Sequence, residues 1–213
     1  MRLHGTLRPM KNIGLVYAII AYTFWGVVPL YWKQLTHVSS YEIIAHRMVW
    51  SCLCVVIFII IVGQWRQLKG ILNSPATLKK LLAAAMMTSL NWGIFIWAVN
   101  NDHMIEASMG YFINPLITVL FGVWLFNETL RPLQWLAIIS VALGIGASLI
   151  MYGQLPWIAL TLAVSFSLYS AIKKTVHVPA THGLAVETGL MLIPALIGLA
   201  YLSTNSQSSA SHD

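Results

Sequence analysis

The sequence predicts an all-α integral membrane protein whose chain crosses the bilayer seven times, and three observations carry that prediction. Hydrophobic residues make up 58% of the 213 and charged residues only 8%, with a mean hydropathy of +0.76, well outside the composition of a soluble domain. The apolar residues gather into seven runs, each within the about 17 to 25 residues that a helix needs to cross a hydrocarbon core. If the runs alternate in direction, Arg2, Arg8, Lys11, Arg66, Lys69, Lys79, Lys80, Arg131, Lys173 and Lys174 fall on one side, and only Lys33 falls on the other. That bias places the N-terminus in the cytoplasm.

The spans follow in order. Residues 1–12 form a cytoplasmic N-terminal segment, and the first span, Ile13 to Trp32, is too long and lacks the small-residue cleavage site of a signal peptide, so it stays as an anchor. The second span, Tyr41 to Val62, holds Glu42, His46, Arg47, Trp50, Cys52 and Cys54. The two cysteines have no C-x-x-C spacing and read as small apolar packing residues. The connection Gly63 to Lys80 carries four basic residues and the helix-breaking pair Ser74 and Pro75, and is expected along the cytoplasmic surface. The third span is Leu81 to Val99, joined by the tight turn Asn100 to His103 to the fourth, Met104 to Phe126. The fifth, Leu133 to Tyr152, presents Ser140, Gly144 and Ser148 as a small-xxx-small ridge that should bring two helices close. The sixth, Leu155 to Ile172, follows the two-residue turn Gly153 and Gln154, and the seventh is Leu184 to Leu202. Residues 203–213 are polar without a basic residue, as expected of an exterior loop or tail.

A faint repeat links the first and sixth spans. Ala21, Thr23 and Phe24 match Ala163, Ser165 and Phe166, and His37 with Val38 matches His177 with Val178. The shift corresponds to five spans, an odd number, so the second copy runs opposite to the first, which is the arrangement of an inverted-repeat transporter. The second copy holds only two spans, so the chain is expected to be a truncated or split form of a ten-span protein.

Polar and aromatic groups inside the spans are the candidates for function. Arg47 is costly in hydrocarbon, roughly 2.5 to 3.5 kcal/mol on insertion scales, unless something compensates it. It lies only about 9 Å below the start of its span. Two readings follow: the side chain snorkels to the outer interface, or it lines a water-filled cavity and attracts anionic or carbonyl-bearing groups. His46 beside it is either a satisfied interior histidine or a titrating group in a proton-coupled cycle. Trp25, Trp50 and Trp92, with Asn91, lie near mid-depth, whereas Trp32, Trp65, Trp135 and Trp157 lie at span ends as an interfacial belt. The deep tryptophans wall a pocket for a small organic or amphipathic solute, or simply pack helices. In the fourth span, Gly110 to Pro115 reads G-Y-F-I-N-P; Pro115 kinks the helix and frees the Tyr111 carbonyl beside Asn114, a feature of binding sites in broken-helix transporters. Glu106 and Glu187 stand near span starts, where helix N-termini favour negative charge.

Catalytic and cofactor signatures are missing: the chain has no H-E-x-x-H, no G-x-S-x-G with triad partners, no P-loop and no metal-spaced His/Cys cluster. No catalytic residue, cofactor or metal is therefore expected, and the protein is not read as an enzyme. Its basic residues sit in short loops rather than in an aromatic-interleaved stripe, which excludes nucleic acid as a partner.

F-W-G at Phe24 to Gly26, the pair His46 and Arg47, N-W at Asn91 and Trp92, E-A-S-M-G-Y-F-I-N-P-L from Glu106 to Leu116, N-E-T-L-R at Asn127 to Arg131 and Q-W at Gln134 and Trp135 resemble the RarD branch of the EamA drug/metabolite transporter superfamily. The resemblance runs from about Met10 and implies a bacterial inner-membrane carrier of ten helices in two inverted halves (5+5), with both termini cytoplasmic and a central cavity. Residues 13–152 then form the first EamA repeat and 153–202 two helices of the second, and Met1 to Pro9 reads as an upstream start. The expected function is secondary transport of a small organic metabolite or drug-like solute by alternating access. Trp25, His46, Arg47, Asn91, Trp92, Tyr111 and Asn114 are the expected pathway residues. The partners expected are that solute, the lipid bilayer, and either a second copy of the chain or the missing helices.

Two rivals stand beside this reading. A seven-helix receptor would have its N-terminus outside, against the charge bias, and the seventh span has no lysine for a retinal Schiff base. A non-transporting membrane protein remains open, since helix-packing partners leave little signature in sequence.

Overall fold

A computed structural model of the chain describes residues 13–35, 38–153 and 155–210. Among them are eight α-helices: α1 (Ile13–Gln34), α2 (Ser40–Ile61), α3 (Trp65–Leu72), α4 (Pro75–Asn100), α5 (Met104–Phe126), α6 (Pro132–Tyr152), α7 (Trp157–Lys174) and α8 (Ala180–Ala210). Five helical stretches are long and apolar enough to cross a membrane: α1, α2, α4, α5 and the part of α8 from Ala180 to Leu202. The part of α6 from Pro132 to Ser148 is a shorter apolar helix. His37, one half of a repeat match, and Gln154, of an expected turn, lie outside the described residues.

The chain divides into two compact units, Met1–His37 and Val38–Asp213. The first unit is α1, apolar all round its circumference, with Pro29 inside it and no buried residue. Helices of that pattern suit lipid on every side.

In the second unit α7 packs between α4 and α5, α8 packs against α2 and α4, and α6 packs against α5. Small side chains make many of these contacts, beside larger ones such as Ile59, Leu81, Ile96 and Ile158. Ala45, Ala84, Ala85, Ala98, Ala107, Ala159, Ala163 and Ala185 are buried, while Phe112, Trp124, Ile150 and Ile197 are exposed. Buried alanines together with exposed large apolar groups are the membrane pattern, in which lipid solvates large apolar groups and small residues let backbones approach. Gly110 shows the need most directly. A Cβ there would stand 3.0 Å from the Ala159 carbonyl oxygen and 3.1 Å from the Leu162 Cβ, so α5 and α7 meet at this closeness only with glycine. At Gly198 a Cβ would run into the Tyr41 ring, which closes α8 onto α2.

Four expectations change. Ser74 and Pro75 begin a helix rather than break one: Pro75 takes the first turn of α4, where a missing N–H costs nothing, and the Ser74 hydroxyl bonds that of Thr77 at 2.9 Å. The span therefore starts six residues earlier than its apolar run. The ridge of Ser140, Gly144 and Ser148 lies exposed, and nothing stands within 4 Å of a Cβ at Gly144. Ser140 and Ser148 instead bond the carbonyls of Leu136 and Gly144 in their own helix, and Ile145 on the neighbouring face packs against α5. The polar run after Leu202 continues α8 to Ala210 instead of forming a loop, since it contains neither Pro nor Gly to interrupt the ladder. The connection after α2 contains the short helix α3, whose Leu68 is buried in a cluster with Val55, Ile59, Leu81, Ala185 and Val186.

Tight turns use left-handed backbone. Asp102 has φ 62° between α4 and α5, Gly153 has φ 69° after α6, and Asn127 with φ 52° ends α5, its N–H returning to the Gly122 carbonyl.

Candidate functional site

Arg47 sits seven residues into α2, Tyr111 seven residues into α5, and Trp92 eight residues before the end of α4. The antiparallel course of these helices puts all three at one level, and the Asn100 amide donating to the Ser40 hydroxyl at 3.5 Å ties the end of α4 to the start of α2. The Arg47 guanidinium lies over the indole of Trp92, with Cζ 3.7 Å from the ring centroid. This stacking answers how the span holds a cation: the negative face of the indole replaces part of the lost hydration. It does not answer it fully. Arg47 Nη1 is buried with no hydrogen-bond partner among the described residues.

From Trp92 a line of rings crosses the bundle. Trp92 meets Phe95 edge-on at 5.7 Å, and Phe95 meets Tyr111 edge-on at 5.8 Å. Tyr111 then forms part of a small cavity with Asn91, Gly110, Asn114, Leu162 and Phe166, about 10 Å³ in volume, room for roughly one water.

The two asparagines of this cavity are fixed from α7. Asn91, buried, donates through Nδ2 to the Leu162 carbonyl at 2.8 Å and to Ser165 Oγ at 3.0 Å, which uses both amide hydrogens. Asn114 Oδ1 accepts from Ser167 Oγ at 2.8 Å and from Thr118 Oγ1 at 3.2 Å, and Ser167 also reaches the Asn114 carbonyl at 3.3 Å. Its oxygen is thereby saturated, and the NH2 of this cavity-lining residue keeps its bonding capacity. Pro115 follows directly and cannot donate to the Tyr111 carbonyl, so α5 carries a freed acceptor on the same turn.

The structure thus brings together five of the seven expected residues: Arg47, Asn91, Trp92, Tyr111 and Asn114. His46 is exposed and does not join them, because successive helical residues point about 100° apart and Arg47 takes the inward direction. Trp25 lies on α1, in the other unit, and is 47% exposed. Trp50 is exposed on α2. Residues that the spacing did not single out complete the cluster: Phe95, Thr118, Leu162, Ser165 and Ser167. The repeat match at Ser165 and Phe166 was the one sequence signal that pointed to this part of α7.

Both acidic groups are more enclosed than a surface position implies. Glu106, in the first turn of α5, is buried and meets His103 Nδ1 at 3.0 Å. Glu187 lies seven residues into α8, 3% exposed, and pairs with Lys173 of α7 at 2.6 Å.

Comparison with known proteins agrees with the helical pattern. The EamA-like transporter family matches over residues 12–150. An uncharacterized transporter of Vibrio cholerae is 43% identical over 89% of this chain and 63% of its own length. The proteins named RarD of Streptomyces exfoliatus and Escherichia coli are 42% and 41% identical over 93% of this chain, and 63% and 66% of their own lengths. The chain therefore spans about two thirds of the length of these relatives. No solved structure matches it. With its apolar helices, a family match across the first five of its expected spans and relatives of this identity along nearly all of its length, the chain belongs to the RarD branch of the EamA-like transporter family, a family of multi-pass membrane proteins.

Proposed function

We propose that the chain is a major part of a secondary transporter that moves a small organic solute across the bacterial inner membrane by alternating access. The observation that carries this reading is the Arg47–Trp92 stack opening, through Phe95 and Tyr111, onto a cavity whose asparagines are held by α7. A stabilised cation, mid-depth rings and a proline-freed carbonyl on three different helices are what a solute pathway needs, and plain helix packing needs none of them.

In this reading seven of ten spans are present, residues 13–152 forming the first inverted repeat and 153–202 part of the second, with the N-terminus cytoplasmic. The cavity of about 10 Å³ is one wall of a site that further helices, or a second copy, complete. His46 belongs to the mouth of the pathway rather than to that wall.

Uptake into proteoliposomes containing the purified chain tests the proposal, with radiolabelled small carboxylates, amines and neutral amides offered in turn. Accumulation of at least one class above protein-free liposomes is expected, and Arg47→Ala should abolish it while the protein still reconstitutes. Accumulation of none of them would refute transport by this chain; unchanged accumulation in the variant would remove Arg47 from the pathway.

A further inference from the structure

The donors and acceptors of the cluster are unevenly used, and that imbalance describes a ligand. Arg47 Nη1 is buried and unpartnered, and no carboxylate lies within ion-pair distance of the guanidinium among the described residues. Unpaired buried guanidinium groups are rare because the desolvated charge keeps a large part of its cost. The indole lowers that cost from one face only, and an edge N–H still points to no acceptor. At the other end of the ring line, Asn114 lines the cavity, and with its oxygen taken by Ser167 and Thr118 its NH2 is the part of the amide with bonding capacity to spare. Between the two lie the apolar faces and edges of Trp92, Phe95 and Tyr111, of which Tyr111 is more than half exposed. A cation at one end, rings along the middle and an amide donor at the far end are complementary to an elongated molecule with one negative head and a flat apolar body.

Resting on the transporter reading, we propose that this wall binds an organic carboxylate with an aromatic or similarly flat body, the carboxylate meeting Arg47 and the body lying along Trp92 and Tyr111. The guanidinium offers planar paired N–H groups that match the two carboxylate oxygens, a fit that an amine or a neutral amide does not give. Glu42 shares α2 with Arg47 five residues earlier, and Glu106 is held by His103, so neither competes for the guanidinium. The same chemistry would bind the phosphate of an anionic lipid, and the test separates the two sources.

Equilibrium binding to the purified full chain in neutral detergent gives that test, read from tryptophan fluorescence and from thermal stabilisation, with phenylacetate, phenylacetamide and phenethylamine as probes. Phenylacetate should bind about tenfold or more tightly than the other two, and Arg47→Gln should erase that preference. Arg47→Lys, which keeps the charge without the fork, should retain a preference for the carboxylate over the amine at weaker affinity. Equal binding of the three probes by the unsubstituted chain, or no binding of any, overturns the proposal without recourse to a variant that must fold. Displacement of phenylacetate by phosphatidylglycerol in mixed micelles, with none by an uncharged diacylglycerol, also overturns it in favour of a lipid site. Because no transport step enters this measurement, carboxylate-selective binding with no uptake in proteoliposomes would sink the transporter reading alone.

Discussion

At the scale of single residues, the cost of polar groups in lipid decides their arrangement. Asn91 shows how that cost is met. Its amide is buried and gives both hydrogens to α7, so it works as a bolt between α4 and α7 as well as a wall of the cavity. Hydrogen bonds between membrane helices contribute about 0.6 kcal/mol on average and up to about 1.7. Asn91→Leu should therefore destabilise the bundle by about 1 to 2 kcal/mol in a reversible unfolding titration in bicelles, whereas Ser165→Ala, which keeps the Leu162 bond, should cost less. Arg47 is the opposite case. Its stack on Trp92 leaves one N–H unmet, and a group held in that state is better explained by a ligand than by packing.

Pairs of helices are held at two kinds of contact. The α5–α7 pair closes through Gly110 on Ala159 and Leu162, and is latched one turn further by Asn114, Thr118 and Ser167. The α7–α8 pair is joined instead by charge, Lys173 to Glu187, with the carboxylate almost wholly enclosed and the ammonium 22% exposed. Breaking a buried ion pair by removing one partner costs about 3 to 5 kcal/mol, since the other charge stays behind, while removing both together is often nearly neutral. Lys173→Met should accordingly be strongly destabilising in the same unfolding titration, and Lys173→Met with Glu187→Leu should recover most of the loss. If the double variant is no better than the single one, the pair is not what joins α7 to α8.

For the whole molecule, the distribution of basic residues predicts a direction across the bilayer. Lys69 lies on α3, and Lys173 and Lys174 in the last turn of α7, while the α4–α5 turn and Gly153 face the other side if the helices alternate. Alkaline phosphatase joined after Asn101 or Gly153 should be active in the periplasm, and joined after Leu72 or Lys174 it should be inactive; the reverse pattern would overturn the cytoplasmic N-terminus.

Much of this fold was legible in one dimension. A transmembrane helix must satisfy its backbone within its own segment and present apolar side chains to lipid, so length and hydropathy along the chain locate it. Family membership was also readable, from the block Glu106 to Leu116 above all. Helix ends were less so, as Ser74 with Pro75 and the polar end of α8 show, because a helix can run past its apolar stretch wherever nothing stops it.

What only the tertiary structure decided is which polar groups meet. Asn91 finds Leu162 and Ser165 across more than seventy residues, and Asn114 finds Ser167 across more than fifty. Those meetings depend on how each helix is rotated about its axis. A rotation of 100° separates Arg47, stacked on Trp92, from His46, which is exposed, although the two are neighbours in sequence. Hydropathy located five of the seven expected spans at helices long and apolar enough to cross, α6 and α7 not being among them, because the bilayer acts on each helix by itself; the site depended on packing between helices, which no single segment contains.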